Sequence, residues 1–239
     1  MNAFTQARAD QATGSPDEHR AARLELLARE KQLTRLRDEL AAERRQLPWV
    51  RLDKNYEFDG PDGRLSMADL FGDKSQLIVY HFMMGPGWEE GCPICSFWAD
   101  SFDGTSVHLA HRDAAFVAVS RAPFPDIEAY RRRMGWSFPW VSSAPSDFNF
   151  DLGVSSTPEH LAAGSEYNFR HVEKPMEESP GLSVFARDDA GQIFHTYSTY
   201  SRGLDPINSA YQLLDVTPKG RDEQDLTWTM AWLRRHDSY

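Results

Sequence analysis

Apolar positions follow two rhythms along the chain. Between residues 16 and 47, Leu26, Leu33, Leu40 and Leu47 return every seven positions, Leu36 widens the stripe, and charged residues fill most of the rest. That spacing predicts one long charged helix over 16–47. Its start is marked by Ser15 as N-cap, Pro16 at the first helical position and Glu18 three residues after the cap. Glu25 and Arg29 stand in the favourable order for a pair one turn apart. Two packings suit such a helix: a coiled-coil homo-oligomer, or an arm lying over its own or a neighbour's globular domain. The second is preferred, because a full second apolar position per heptad is missing. Residues 1–15 have no such periodicity and are expected to be disordered.

From Pro48 the apolar runs become short and strand-like, alternating with helical stretches. A strand is expected at 55–58, a turn at 59–63, a short helix at 66–71 capped by Ser66, and a buried strand over 76–83. A helix over 92–111 follows, with Gly104 marking a kink or break. Next come a buried strand at 115–119 and a helix at 126–134. Strands at 182–185 and 192–195 flank the turn signal Asp188-Asp189-Ala190-Gly191. Helices are expected at 205–214 and, closing the chain within 221–239, at 222–235. The order β-α-β-α-β-α-β-β-α predicts an α/β fold of thioredoxin type, with a central mixed sheet flanked by helices. That domain spans 48–220, a long helix precedes it and a C-terminal helix over 221–239 follows it. The stretch 138–179, rich in Ser, Pro, Phe and Asn, reads as an insertion.

Charge narrows the function. A net charge of −10 argues against a general nucleic-acid binder, whose affinity depends on neutralising phosphates. It also gives no attraction to anionic membranes. The first residues lack the apolar core of a secretory signal, and no apolar run is long enough to span a bilayer. Two cysteines cannot build a disulfide framework, so a cytoplasmic protein with a reactive pair is expected.

Those two cysteines are Cys92 and Cys95, two positions apart with Pro93 between them, where a strand-like run meets a helix-like one. A Cys-x-x-Cys at such a junction is the sequence form of a thioredoxin-type redox site. The first turn of a helix leaves N–H groups unpartnered and carries partial positive charge, so it favours a thiolate. Such sites draw a thiol pKa from about 8.5 down toward roughly 3.5–7.5. Pro93 has no N–H to leave unpartnered, and its φ is already helical. Cys92 is the expected nucleophile. Cys95, one turn on, would attack the resulting mixed disulfide. Glu89 and Glu90 work against an acidic Cys92 through their negative charge. The alternative is two inert, buried cysteines.

Several long stretches carry a family resemblance: LPWV (47–50), QLIVYHFM (76–83), WEEGC (88–92), CSFWAD (95–100), VSRAP (119–123), RMGW (133–136), FPWVSS (138–143), SDFN (146–149), TYSTYSRG (196–203) and LDVTPKGR (214–221). From about residue 17 to 221 the chain closely resembles a bacterial thioredoxin-like family of unknown function, described as predicted dithiol-disulfide oxidoreductases. The resemblance implies a thioredoxin-like fold, a dithiol mechanism without a cofactor, and a protein or small-molecule disulfide or thiol as partner. It also implies a cis-proline facing the redox pair, and by topology Pro180 is the candidate, offering backbone to substrate. The plain alternative is an ordinary strand-entry proline.

Other residues are weighed against blander roles. His81, late on the strand before the motif, is a candidate proton relay to a cysteine, although a satisfied core histidine is the commoner case. Trp88 is a candidate groove residue, or simply core. Arg202 is a candidate for pairing an anionic substrate, or a structural ion pair. The run Cys92-x2-Cys95-x12-His108-x2-His111 nearly reproduces a zinc spacing. However, thirteen residues of continuous helix span about 20 Å, far beyond zinc's bonds of about 2 Å, so no metal is expected. A thiol peroxidase is the nearest alternative activity, since 138–143 and 150–154 resemble a peroxiredoxin segment. The peroxiredoxin pattern Pro-x3-Thr-x2-Cys is absent, with Gly85 and Glu89 at its Pro and Thr positions. A non-catalytic binding protein on the same fold is the third reading.

Overall fold

A computed structural model describes residues 13–239, so the disorder expected of the amino terminus falls largely outside the described residues. The chain divides into two compact units, Met1–Pro48 and Trp49–Tyr239.

In the first unit, helix α1 (Pro16–Arg44) begins with the expected capping box. Glu18 N–H donates to Ser15 Oγ (3.3 Å), and the Ser15 N–H donates to the Glu18 carboxylate (2.7 Å). The helix stops three residues short of the expected end. Gln46 and Leu47 N–H groups donate to Glu43 and Arg44 carbonyls, which tightens the chain ahead of Pro48. No residue of α1 is buried.

The second unit contains β1 (Val50–Arg51), β2 (Glu57–Gly60), β3 (Gly63–Ser66), α2 (Met67–Phe71), β4 (Gln76–His81), α3 (Pro93–Ala99), α4 (Ser106–Ala110), β5 (Ala114–Ser120), α5 (Phe124–Arg133) and β6 (Trp140–Ser142). It continues with α6 (Phe148–Asp151), α7 (Pro158–Ala163), a small hairpin of β7 (Ser165–Tyr167) and β8 (Arg170–Val172), then β9 (Gly181–Arg187), β10 (Ile193–Tyr200), a 3₁₀ turn (Ser201–Ile207) and α8 (Ser209–Leu214). The main sheet runs β1-β10-β9-β4-β5-β6-β2-β3. At its centre β4 pairs parallel with β5 and antiparallel with β9, and β9 pairs antiparallel with β10. A β-α-β unit followed by an antiparallel hairpin on the far side of the first strand is the thioredoxin-like arrangement.

Strand parity assigns the two faces. Tyr80, Phe82, Phe116 and Ala118 share a cluster with Trp98 of α3, Tyr130 of α5 and Tyr211 of α8. Leu77, Val79, Val117, Val119 and Phe185 share the other with Phe58, Phe71 of α2 and Phe148 of α6. Helix α3, which carries the cysteine pair, therefore covers one face and the β2–β3 hairpin region the other.

Three expectations need correction. The helix over 92–111 is two helices, α3 and α4, parted by a turn in which Gly104 takes φ 79°. The segment 138–179 is only partly an insertion, because Trp140–Ser142 forms β6 of the main sheet. The C-terminal helix over 221–239 is absent. Residues 221–235 form turns, and only His236–Ser238 make a single 3₁₀ turn. A helix was expected over 222–235, but Glu223 holds the segment folded back. One oxygen of its carboxylate accepts from Tyr211 OH (2.8 Å), Met230 N–H (3.1 Å) and Trp232 Nε1–H (2.7 Å). Asp222 (φ 53°) and Met230 (φ 71°) take left-handed conformations that no helix accommodates. Among the described residues, no helix is long and apolar enough to cross a membrane.

Candidate active site

The site lies where β4 gives way to α3. Cys92 is the N-cap of α3 and Pro93 opens its first turn, as the spacing predicted. Cys92 is half-buried and Cys95 buried, and both are free thiols. The backbone of Met83 grips both: its carbonyl accepts from Cys92 N–H (3.1 Å) and its N–H donates to Cys95 Sγ (3.5 Å). Tyr80 OH, buried beneath, donates to the Cys95 carbonyl (3.2 Å).

The two thiols are driven apart in acidity. The Cys95 S–H donates to Cys92, the Cys95 and Ile94 N–H groups point at the same sulfur, and the Arg235 cation lies nearby; against the opposing effect of burial they draw Cys92 down to about 7. Burial first, then the neighbouring Cys92, pushes Cys95 well above an ordinary thiol. Cys92 therefore loses its proton first. The expected opposition from Glu90 is offset by two cations. Arg133 bonds one oxygen of its carboxylate and Arg235 Nη1 lies 2.7 Å from the other.

The cysteine surroundings also contain residues that no sequence signal marked. Ser96 Oγ donates to the Cys92 carbonyl (2.9 Å) and meets Tyr130 OH (2.9 Å). Arg235 donates from Nη2 (2.7 Å) and Nε (3.2 Å) to the Gly91 carbonyl, and from Nε to Tyr130 OH (3.0 Å). Beside the motif lies a cleft of about 400 Å³ lined by Gly87, Trp88, Glu89, Asp126, Tyr130 and Arg133 among others. Trp88 and Cys92 are both partly buried against the cluster that contains Cys95.

Other sequence candidates lie elsewhere. His81 is buried, but on the opposite face of the sheet from Tyr80, Phe82 and Cys95, with its ring 5.8 Å from that of Phe148. Its Nε2 meets Ser183 Oγ at 2.8 Å, and burial pulls its pKa down to about 3. A proton relay from His81 to the cysteines is therefore withdrawn: strand parity points the ring away from them. Arg202 is 85% exposed and pairs with Asp205 (3.1 Å), which is the structural alternative. The peptide bond before Pro180 is trans, so the cis-proline expectation is withdrawn, and the Pro180 carbonyl accepts from Tyr167 OH (2.7 Å). His108 lies on α4, beyond the break. Among the described residues, no group of three or more His, Cys, Asp or Glu is placed to hold a metal ion.

At the same end of the sheet, just before Pro180, a buried ion pair joins Glu178 to Arg121 (2.8 Å). The second Glu178 oxygen accepts from Ser155 Oγ (2.6 Å).

Comparison with known proteins adds context. Among solved structures, the peroxidoxin BcpB of Mycobacterium tuberculosis is similar at 14% identity and TM-score 0.45, over 70% of this chain and 96% of that one. A PrxQ mutant of Xylella fastidiosa gives 12% identity and TM-score 0.45, over 69% and 95%. A peroxiredoxin 6 mutant of Arenicola marina gives 13% and 0.44, over 65% of each chain. At these values the likeness carries no argument about chemistry. No curated protein matches the sequence. A family model does match, over residues 8–239, and by it the chain belongs to the bacterial proteins of unknown function grouped as DUF899.

Proposed function

We propose that the protein is a dithiol-disulfide oxidoreductase acting through Cys92 and Cys95. The observation that carries this reading is the split between the two thiols: a half-buried Cys92 drawn down to about 7, one helical turn from a buried Cys95 pushed up. The Cys92 thiolate attacks one sulfur of a substrate disulfide, forming a mixed disulfide, and the other half leaves as a thiolate that takes a proton. Cys95 loses its proton and attacks the Cys92 sulfur. The Cys92–Cys95 disulfide forms and the second half of the substrate leaves as a thiol. Two electrons pass from the pair to the substrate, and an external thiol or dithiol reductant restores the pair. The buried Cys95 stays protonated until Cys92 is engaged, which keeps it available as a hydrogen-bond donor in the resting state.

The test is turnover of insulin or a small disulfide by the wild type and Cys92→Ser. Loss of turnover in the variant is expected; equal rates end the assignment. Consumption of hydrogen peroxide by the reduced protein, at a rate exceeding disulfide turnover, would replace it with a peroxidase.

A further inference from the structure

Cys92 sits between two peptide carbonyls, those of Gly91 and Cys92 itself, and both are tied to one side chain far along the sequence. Arg235 Nη2 and Nε donate directly to the Gly91 carbonyl. The Cys92 carbonyl is reached through two hydroxyls. Ser96 Oγ donates its proton to that carbonyl. The hydrogen bond between Ser96 and Tyr130 must then run from the Tyr130 O–H to Ser96, and Tyr130 in turn accepts from Arg235 Nε. The polarity of the chain Arg235 to Tyr130 to Ser96 to Cys92 is fixed at one end because a guanidinium can only donate, and at the other because the single Ser96 hydroxyl proton goes to the Cys92 carbonyl. The cation is also held in place: its side chain is 20% exposed, and Glu90 engages its third nitrogen at 2.7 Å.

We propose that Arg235 is a positioning residue for Cys92, orienting the peptide groups on both sides of the nucleophile and fixing a cation beside its thiolate. The claim rests on the dithiol reading of the site. An anion-receptor role fits less well, since all three guanidinium nitrogens already serve protein acceptors. The segment carrying Arg235 is itself pinned. Leu233 is buried, His236 Nδ1 meets Asp100 at 2.8 Å, and Asp237 pairs with Arg133 at 2.7 Å. This accounts for the folded-back path of residues 221–235: a helix there could not deliver Arg235 to Gly91 while Glu223 holds Met230 and Trp232. The direction of the electrostatic effect agrees, since the Arg235 charge is among the causes that draw Cys92 down.

The test is the pH profile of Cys92 alkylation by iodoacetamide, followed by peptide mass mapping, in the full chain. Arg235→Gln is expected to move the midpoint up by about half a unit, which is roughly threefold slower labelling at pH 6, with rates converging where the thiol is fully ionised. Arg235→Lys, which keeps the charge, is expected to recover part of that shift. Glu90→Gln, on the half-exposed side of the cluster, removes the counter-charge and is expected to move the midpoint down; it remains informative if Arg235→Gln does not fold. A profile of Arg235→Gln superimposed on the wild type, or a Glu90→Gln midpoint that stays or rises, overturns the assignment. Alkylation reports the thiol and not turnover. An inactive protein with a shifted profile would therefore sink the oxidoreductase reading and leave this one standing.

Discussion

Gly91 offers the sharpest test of how tightly the Cys-x-x-Cys turn is seated. A Cβ built there would lie 2.6 Å from a Phe82 ring carbon and 2.6 Å from a Tyr130 ring carbon, with a second Phe82 carbon at 2.8 Å. Carbon atoms meet comfortably at about 3.5–4.0 Å, so Gly91→Ala overlaps two rings by about 1 Å. Neither ring can retreat. Phe82 is 1% exposed and its centroid lies 4.4 Å from that of Trp140. Tyr130 is held through its hydroxyl by Ser96 and Arg235. Relief must come from the backbone, which would draw Cys92 off the Met83 carbonyl. Overpacking costs about 1–3 kcal/mol and the lost hydrogen bond about 1 more, so a destabilisation of about 2–4 kcal/mol is expected. For a domain of this size that lowers Tm by roughly 4–16 °C. Chemical and thermal denaturation would measure it. Gly85→Ala is the control: its Cβ meets Trp88 Nε1 at 3.1 Å and Glu178 Cγ at 3.3 Å, contacts eased by a few tenths of an ångström. It should cost under about 1 kcal/mol. Phe82→Leu combined with Gly91→Ala should destabilise less than the two single changes added together, because the smaller side chain makes room for the methyl. A Gly91→Ala protein within about 0.5 kcal/mol of wild type, or indistinguishable from Gly85→Ala, would refute the reasoning.

Three further outcomes are expected. The Cys92 alkylation rate should titrate near the value of about 7 that its surroundings impose; Cys95→Ala removes the leading cause and should return the midpoint toward about 8.5. Since the folded-state value lies below the unfolded one, the stability gained from this ionisation is fully present only above the unfolded pKa and is lost as pH falls through about 7. A wild-type midpoint at the ordinary cysteine value would contradict both. Arg121→Met leaves the buried Glu178 carboxylate with Ser155 alone. It should cost about 3–5 kcal/mol at neutral pH, less in acid where Glu178 protonates, and adding Glu178→Gln should recover most of it in urea melts. Glu223→Ala strands three donors and should cost about 2–4 kcal/mol, with limited proteolysis opening residues 222–235 first; an unchanged cleavage pattern would show that the carboxylate does not hold the segment.

Much of the fold was legible because its signals are local. Apolar runs marked β4 and β5, a capping box marked the start of α1, Ser66 as cap marked that of α2, and Asp188 to Gly191 marked the turn between β9 and β10. The cysteine pair was legible for the same reason, since its spacing and proline lie within one helical turn. What the sequence hid was long-range or a matter of facing. Tyr130 and Arg235 are ordinary residue types 38 and 143 positions after Cys92, and nothing near them marks their role. His81 was misassigned because closeness in sequence to the motif says nothing about which face of the strand a side chain takes. Tyr80, one position earlier, has the parity that reaches Cys95. The expected helix over 222–235 fails for the same reason, since the Glu223 contacts that fold the segment back reach to Tyr211 as well as to Met230 and Trp232.

The origin of Cys92's acidity also changes once the geometry is known. The sequence argument joined the unpartnered N–H groups of the first turn to the partial positive charge at the start of a helix expected over 92–111, but α3 has only seven residues and ends at Ala99. A macrodipole acts within the first turn and adds at most a modest charge, and a helix this short supplies few aligned peptides. The stabilisation is instead carried by individual donors: the Cys95 thiol first, then the N–H groups of Cys95 and Ile94, with Arg235 beyond them. The thiol and the two N–H groups act through hydrogen bonds and Arg235 through its charge, so the acidity depends on the seating of one turn and of Arg235 and not on helix length. Met83, which holds Cys92 by its carbonyl and Cys95 by its N–H, and Arg235, which holds the peptides around Cys92, then matter more to the chemistry than anything after Ala99 in the helix. Substitutions that lengthen or truncate the far end of α3 should leave the thiol unchanged, whereas those that loosen either grip should not.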